Sequence, residues 1–156
     1  MSLGGGGGGG AMQEIQEQME ALEQEKRAIE AEIEGVQEEQ SEIDEAVEAI
    51  ETLETGSTVQ VPIGGGAYVR AEVQDIDEII VGLGGGYAGE QDQEGAIDAL
   101  ERKRDALDDR IEELREEITE VESETDQLEQ RAQQMQQQQM QQMMQQQQQQ
   151  EQGDDE

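Results

Sequence analysis

The chain has 156 residues, enough for one structural unit, yet aromatic side chains make up only 1% of it: Tyr68 and Tyr87, with no Phe or Trp. Large aromatics usually anchor a compact core, so burial must come from aliphatic stripes along elongated elements, the pattern of coiled coils rich in Ala, Glu, Gln, Leu and Arg. With 41 acidic residues against 9 basic, a formal charge of −32, and neither Cys nor His, the chain repels nucleic-acid phosphates and anionic lipids. It also lacks thiolate chemistry and the commonest general base, and the expectation is no cofactor, no metal and no catalytic residue.

Residues 1–11 hold seven consecutive glycines, Gly4 to Gly10. Glycine loses the most backbone entropy on ordering, so this stretch reads as a disordered tail. With no basic and no apolar region, it is not expected to act as a signal peptide. Nor is it a phosphate loop, since no Lys with Ser or Thr behind it follows the glycines.

Residues 12–56 read as the first coiled-coil helix. The a positions are Met12, Met19, Lys26, Ile33, Gln40 and Val47; the d positions are Ile15, Leu22, Ile29, Val36, Ile43 and Ile50. Ten of these twelve are apolar, at unbroken 3–4 spacing. The polar a residues Lys26 and Gln40 restrict register and partner choice. The helix is expected to end near Thr55, with Gly56 as a left-handed C-cap.

Residues 57–91 change character. Val59, Val61 and Ile63 alternate with polar residues, as do Val69, Ala71 and Val73, the period of half-buried strands. Pro62 cannot donate to a ladder, so its strand is expected to be short or at an edge. Ile79, Ile80 and Val81 are apolar without alternation, which predicts a strand covered on both faces. Gly64–Gly66 and Gly84–Gly86 supply positive φ for two tight turns. That makes four strands in two hairpins, too few to be stable alone, with open edges that invite further copies. Val59, Val61, Ile63, Tyr68, Val69, Ala71, Val73, Ile79, Ile80, Val81 and Tyr87 are the candidate oligomerisation residues. A dinucleotide fingerprint starting at Gly82-Leu83-Gly84 fails at Tyr87.

Residues 92–135 mirror the first helix. The a positions are Ile97, Arg104, Ile111, Ile118, Thr125 and Ala132; the d positions are Leu100, Leu107, Leu114, Val121, Leu128 and Met135. Each seam runs 39 residues, about 58 Å at 1.5 Å per residue, so the two helices fold back as an antiparallel hairpin. Residues 136–156 form a low-complexity Gln/Met-rich tail with an acidic end, expected as frayed helix passing into disorder. Folding back brings Met12, Ile15, Met19 and Leu22 to the same distal tip as Leu128, Met135, Met140, Met143 and Met144. Methionine suits promiscuous apolar contacts, and these nine are the candidate residues for apolar contacts at the tip. The fold class is α+β: a long antiparallel coiled-coil hairpin with a central four-strand oligomerisation insert.

The order helix, two hairpins, helix, with VPI and glycines at 61–66, AYVRAEV at 67–73 and IIVGLGGGY at 79–87, resembles the α class of the prefoldin family, the archaeal chaperones. The resemblance spans roughly Met12 to Met135. It implies a cytoplasmic heterohexamer of two α and four β-type subunits, with α hairpins at the centre of a β-barrel platform and six arms below. It further implies that the arm tips hold non-native proteins and pass them to a group II chaperonin without nucleotide hydrolysis. Departures are the glycine-rich start, the Gln/Met tail and Ala88, where a second aromatic is frequent.

Three readings of the whole follow. One is an ATP-independent holdase subunit. Another is a structural coiled-coil scaffold with no client. The third is an acidic mimic of nucleic acid, which leaves the apolar seam without purpose. A halophilic cytoplasm accounts for the charge, because screening at high salt shortens self-repulsion to a few Å; a cation buffer is compatible with the same composition.

Overall fold

The computed structural model describes residues 7–153. Its elements are α1 (Gly7–Thr52), β1 (Thr58–Gly64), β2 (Ala67–Glu72), β3 (Ile79–Gly84), β4 (Tyr87–Gln91) and α2 (Gln93–Gly153). Two long helices therefore flank two antiparallel hairpins. The chain divides into two compact units, one of residues 33–112 and one combining the residues up to 32 with those from 113 onward.

The helical period places the seam correctly. Every a and d residue of both helices is buried or half-buried, and among the described residues of α1 only Ala11 and Ala46 share that protection from other positions. In the unit of residues 33–112, a polar layer crosses the seam. Gln40, 8% exposed, donates from Nε2 to Asp108 Oδ1 at 2.6 Å and to the Arg104 carbonyl at 3.3 Å. Arg104 sets its Nε 2.7 Å from Asp44 Oδ1, a contact of charges whose angle falls short of a hydrogen bond. Position rises along α1 as it falls along α2 in these pairs, so the helices run antiparallel here. A slip of one heptad would strand the buried Gln40 amide, at a cost of about 1–3 kcal/mol. The polar a positions thus hold the register.

Each hairpin is its own two-stranded sheet. In the first, Val59 pairs with Ala71, Val61 with Val69 and Pro62 with Tyr68, then a bulge shifts the ladder to Gly64 opposite Ala67. In the second, Val81 pairs with Gly89 and Gly82 with Ala88, and an equivalent bulge leads to Gly84 opposite Tyr87. Both turns put three successive glycines at positive φ, between 60° and 108°, a region that other residues enter at a steric penalty.

The hairpins are tied to the helix ends by specific bonds. Val81, Ile50 and Ala96 form a buried cluster flanked by Ile79, Ile97, Ala99 and Leu100. The Gln93 amide donates to the Ile50 carbonyl at 2.7 Å and the Leu53 carbonyl at 3.4 Å, satisfying acceptors that the end of α1 leaves open. Asp92 caps α2 by accepting from Gly95 N–H at 2.7 Å. A Cβ at Gly95 would lie 2.7 Å from that capping oxygen, so the position has no room for a side chain while the cap is in place.

Four expectations need correction. α1 begins at Gly7, so Gly7–Gly10 are helical, and only residues 1–6 of the expected tail lie outside the described residues. Four helical glycines each cost about 1 kcal/mol against alanine, which leaves this the weakest turn of α1. α1 ends at Thr52 rather than Thr55. Gly56 does take φ +92°, but its N–H donates to the Val73 carbonyl at 2.8 Å: it extends the β1–β2 ladder and does not cap the helix. α2 continues to Gly153, where a frayed helix passing into disorder was expected from 136. Gln and Met are good helix formers, and no Gly or Pro interrupts them before Gly153. Finally, β3 is covered on one face only. Val81 is buried while Ile80 is 74% exposed, because a two-stranded sheet turns a single face to the helices.

Candidate functional site

Two surfaces hold the residues that the sequence singles out. On the hairpins, Val61, Ile63, Tyr68, Val69, Ile80 and Tyr87 are between 43% and 78% exposed, and Ala71 is exposed as well. Val59, Val73 and Ile79 are half-buried. Val61 and Val69 face each other across β1 and β2, making an uncovered aliphatic pair. Val81 is a correction: it is 7% exposed and belongs to the chain's own core. Leu83, which the sequence reading passed over, is 61% exposed. Its signal was present: Ile63 and Leu83 each stand directly before a triple glycine, at the bulge that turns a side chain outward.

In the unit containing residues 12–32 and 113–135, the other candidates separate into three kinds. Ile15, 5% exposed, is buried in the seam and offers no surface, contrary to expectation. Met12, Met19, Leu22, Leu128 and Met135 are half-buried. Met140, Met143 and Met144 are exposed, at 67%, 66% and 65%. Leu22 and Leu128 meet with Ala21 in an open groove of about 370 Å³, whose rim is Gln18, Glu25, Glu124, Gln127 and Arg131. Beside it, Lys26 Nζ bonds Glu122 Oε1 at 2.9 Å. That hydrogen bond and the carboxylate's charge raise the Lys26 pKa above its ordinary 10.5, so this a-position lysine keeps its charge.

The methionines beyond Met135 do not prolong the seam. At 100° per residue, Met140, Met143 and Met144 form one stripe centred about 130° around the helix from Met135. Seam and stripe are different faces, which a grouping by proximity in sequence had merged. Among the described residues, no three acidic side chains are placed to hold a metal ion, and no helix is long and apolar enough to cross a membrane.

The prefoldin subunit family model matches residues 22–138, both hairpins and most of the two seams. The chain belongs to the prefoldin family. A prefoldin α subunit from Natronomonas pharaonis is 77% identical over 105 residues, 67% of this chain and 70% of that protein. One from Halorubrum lacusprofundi is 81% identical over 59 residues, 38% of this chain and 39% of that protein, so that match spans about two-fifths of the relative's length. The solved structure of a filamentous prefoldin from Methanocaldococcus jannaschii aligns with a TM-score of 0.50 and 25% identity, over 76% of this chain and 94% of that one. The two α subunits place the chain in the α class, with those of halophilic archaea. The family match stops short of Met12, Ile15 and Met19 at one end and of Met140, Met143 and Met144 at the other, so prefoldin membership rests on the hairpins and seams.

Proposed function

We propose that this chain is the α-type subunit of a cytoplasmic, ATP-independent holdase, assembled as two α with four β-type subunits. In this reading the hairpins make the assembly platform. The arm ends bind exposed apolar segments of non-native proteins and release them to a group II chaperonin. One observation carries it: the chain's large exposed apolar side chains concentrate on the two hairpins and on residues 140–144, while the seam positions are covered. Uncovered apolar surface of this kind marks interaction sites. Several weakly binding arms acting together gain effective concentration over one, and a charge of −32 favours solubility of the loaded complex.

The test has two parts. Native mass measurement of the chain mixed with a candidate β-type partner is expected to give the two-plus-four assembly. In that assembly, removing 12–22 together with 128–156 is expected to abolish suppression of client aggregation while leaving the mass of the remaining complex intact. Undiminished suppression would rule out the client-binding assignment, and leave a scaffold without clients as the better reading.

A further inference from the structure

The last turns of α2 differ from the rest of the chain in electrostatics. No charged residue lies between Arg131 and Glu151 in a protein of net charge −32. The early residues of α1 in the same unit, Gly7 to Gln13, carry no charged side chain either. Met140 lies about 13 Å along the axis from Arg131, and Met144 about 10 Å from Glu151. Both distances exceed the screening length of about 8 Å at 0.15 M salt. The methionine stripe is therefore apolar, two-thirds exposed and set in a field of neutral glutamines. The Leu22–Leu128 groove is the opposite: Glu25 and Glu124 stand on its rim against one cation, Arg131.

We propose that the Met140, Met143 and Met144 stripe is the docking surface for apolar segments of non-native proteins that are themselves acidic. This rests on the client-binding reading above and divides its clients by charge. A segment flanked by carboxylates is repelled along the glutamate-lined seams and by the groove rim. Along α2 it meets no charged residue within a screening length of the stripe, and its apolar side chains pack against flexible thioethers that adapt to many shapes. A segment flanked by lysines is drawn instead to the acidic groove. Contact at the stripe is consequently insensitive to salt, whereas contact at the groove weakens as salt rises.

Two labelled peptides with one apolar core, flanked by glutamates or by lysines, test this by fluorescence anisotropy against the full chain. The variants are the triple change Met140→Gln, Met143→Gln, Met144→Gln, and the triple change of the same residues to Leu. Both replacement residues are good helix formers, and far-ultraviolet circular dichroism verifies the helix. The Gln variant is expected to lose about tenfold in affinity for the glutamate-flanked peptide, and the Leu variant to keep it. Binding of that peptide to the unaltered chain holds between about 0.15 M and about 1 M salt. The lysine-flanked peptide is expected to bind both variants normally and to weaken with salt. An unchanged affinity of the Gln variant for the glutamate-flanked peptide, or equal losses for both peptides, overturns the proposal. If the unaltered chain binds only the lysine-flanked peptide, charge division fails but client binding stands; if it binds neither, both fail.

Discussion

The two hairpins use one turn and two kinds of attachment. VPIGGGAYV at 61–69 and VGLGGGYAG at 81–89 lie 20 positions apart, and the triple glycine and the preceding bulge recur in both. Val61 and Val81 are equivalent in the two ladders, yet Val61 is 43% exposed and Val81 7%. The second hairpin is held by side-chain packing on Ile50 and Ala96. The first is joined to the segment after α1 by hydrogen bonds: the ladder extension of Gly56 N–H to the Val73 carbonyl and Val73 N–H to the Ser57 carbonyl, both 2.8 Å, and Ile76 N–H to the Thr55 side-chain Oγ1 at 3.1 Å. Turn chemistry therefore specifies that a hairpin forms. Burial of its strands depends on what lies beside them, which for β3 is the pair of helix ends.

The sharpest way to break this comparison is to truncate the equivalent valines. Val81→Ala is expected to destabilise the chain by about 2 kcal/mol, and Val61→Ala by no more than about 0.5 kcal/mol, in urea unfolding followed by circular dichroism. Equal losses would mean that the first hairpin is also anchored by packing. The turns call for the reverse outcome. Gly65→Ala and Gly85→Ala force the same left-handed backbone on a residue with a Cβ, and each is expected to lose about 1–2 kcal/mol, within error of one another. The attachments themselves differ more gently: Asp92→Ala removes the α2 cap for about 1 kcal/mol. Ser57→Ala, which removes an acceptor 3.0 Å from Glu54 N–H, is expected to lose about 0.5 kcal/mol.

The smallest effect serves as a control from the other unit. Lys26 has a folded pKa raised by Glu122. Its contribution is therefore fully present below the unfolded value of 10.5 and is lost as pH rises through the folded one. Lys26→Gln is expected to flatten the alkaline decline of thermal stability, and to leave the Val61 and Val81 difference unchanged.

What could be read before the fold was known follows the range of each interaction. The seam was legible because a 3.5-residue period records side-chain direction at every turn; Met12 through Ile50 and Ile97 through Met135 were all placed correctly. The glycine turns were legible because a positive φ narrows the choice of residue. Helix ends were not. The stop at Thr52 depends on Gln93, 40 residues or more away in sequence, and no local pattern announces such a cap. The β3 reading failed at Ile80 because apolar composition records that a side chain is to be covered, and not whether its own chain covers it. Of the candidate binding residues, Ile15 and Val81 show the reverse: the chain itself covers them. The stripe at 140–144 needed the helix to be known as continuous before its face could be separated from the seam.

The scarcity of aromatic residues makes the chain an unusually selective optical probe of itself. Tyr68 and Tyr87 are its only aromatic side chains; they are 62% and 78% exposed, one on each hairpin, and both lie on the proposed assembly surface. The helices contribute no near-ultraviolet chromophore. Any change in tyrosine emission or near-ultraviolet dichroism of the unaltered protein therefore reports events at the hairpins, while a partner free of tryptophan and tyrosine that docks on α2 alone passes unseen.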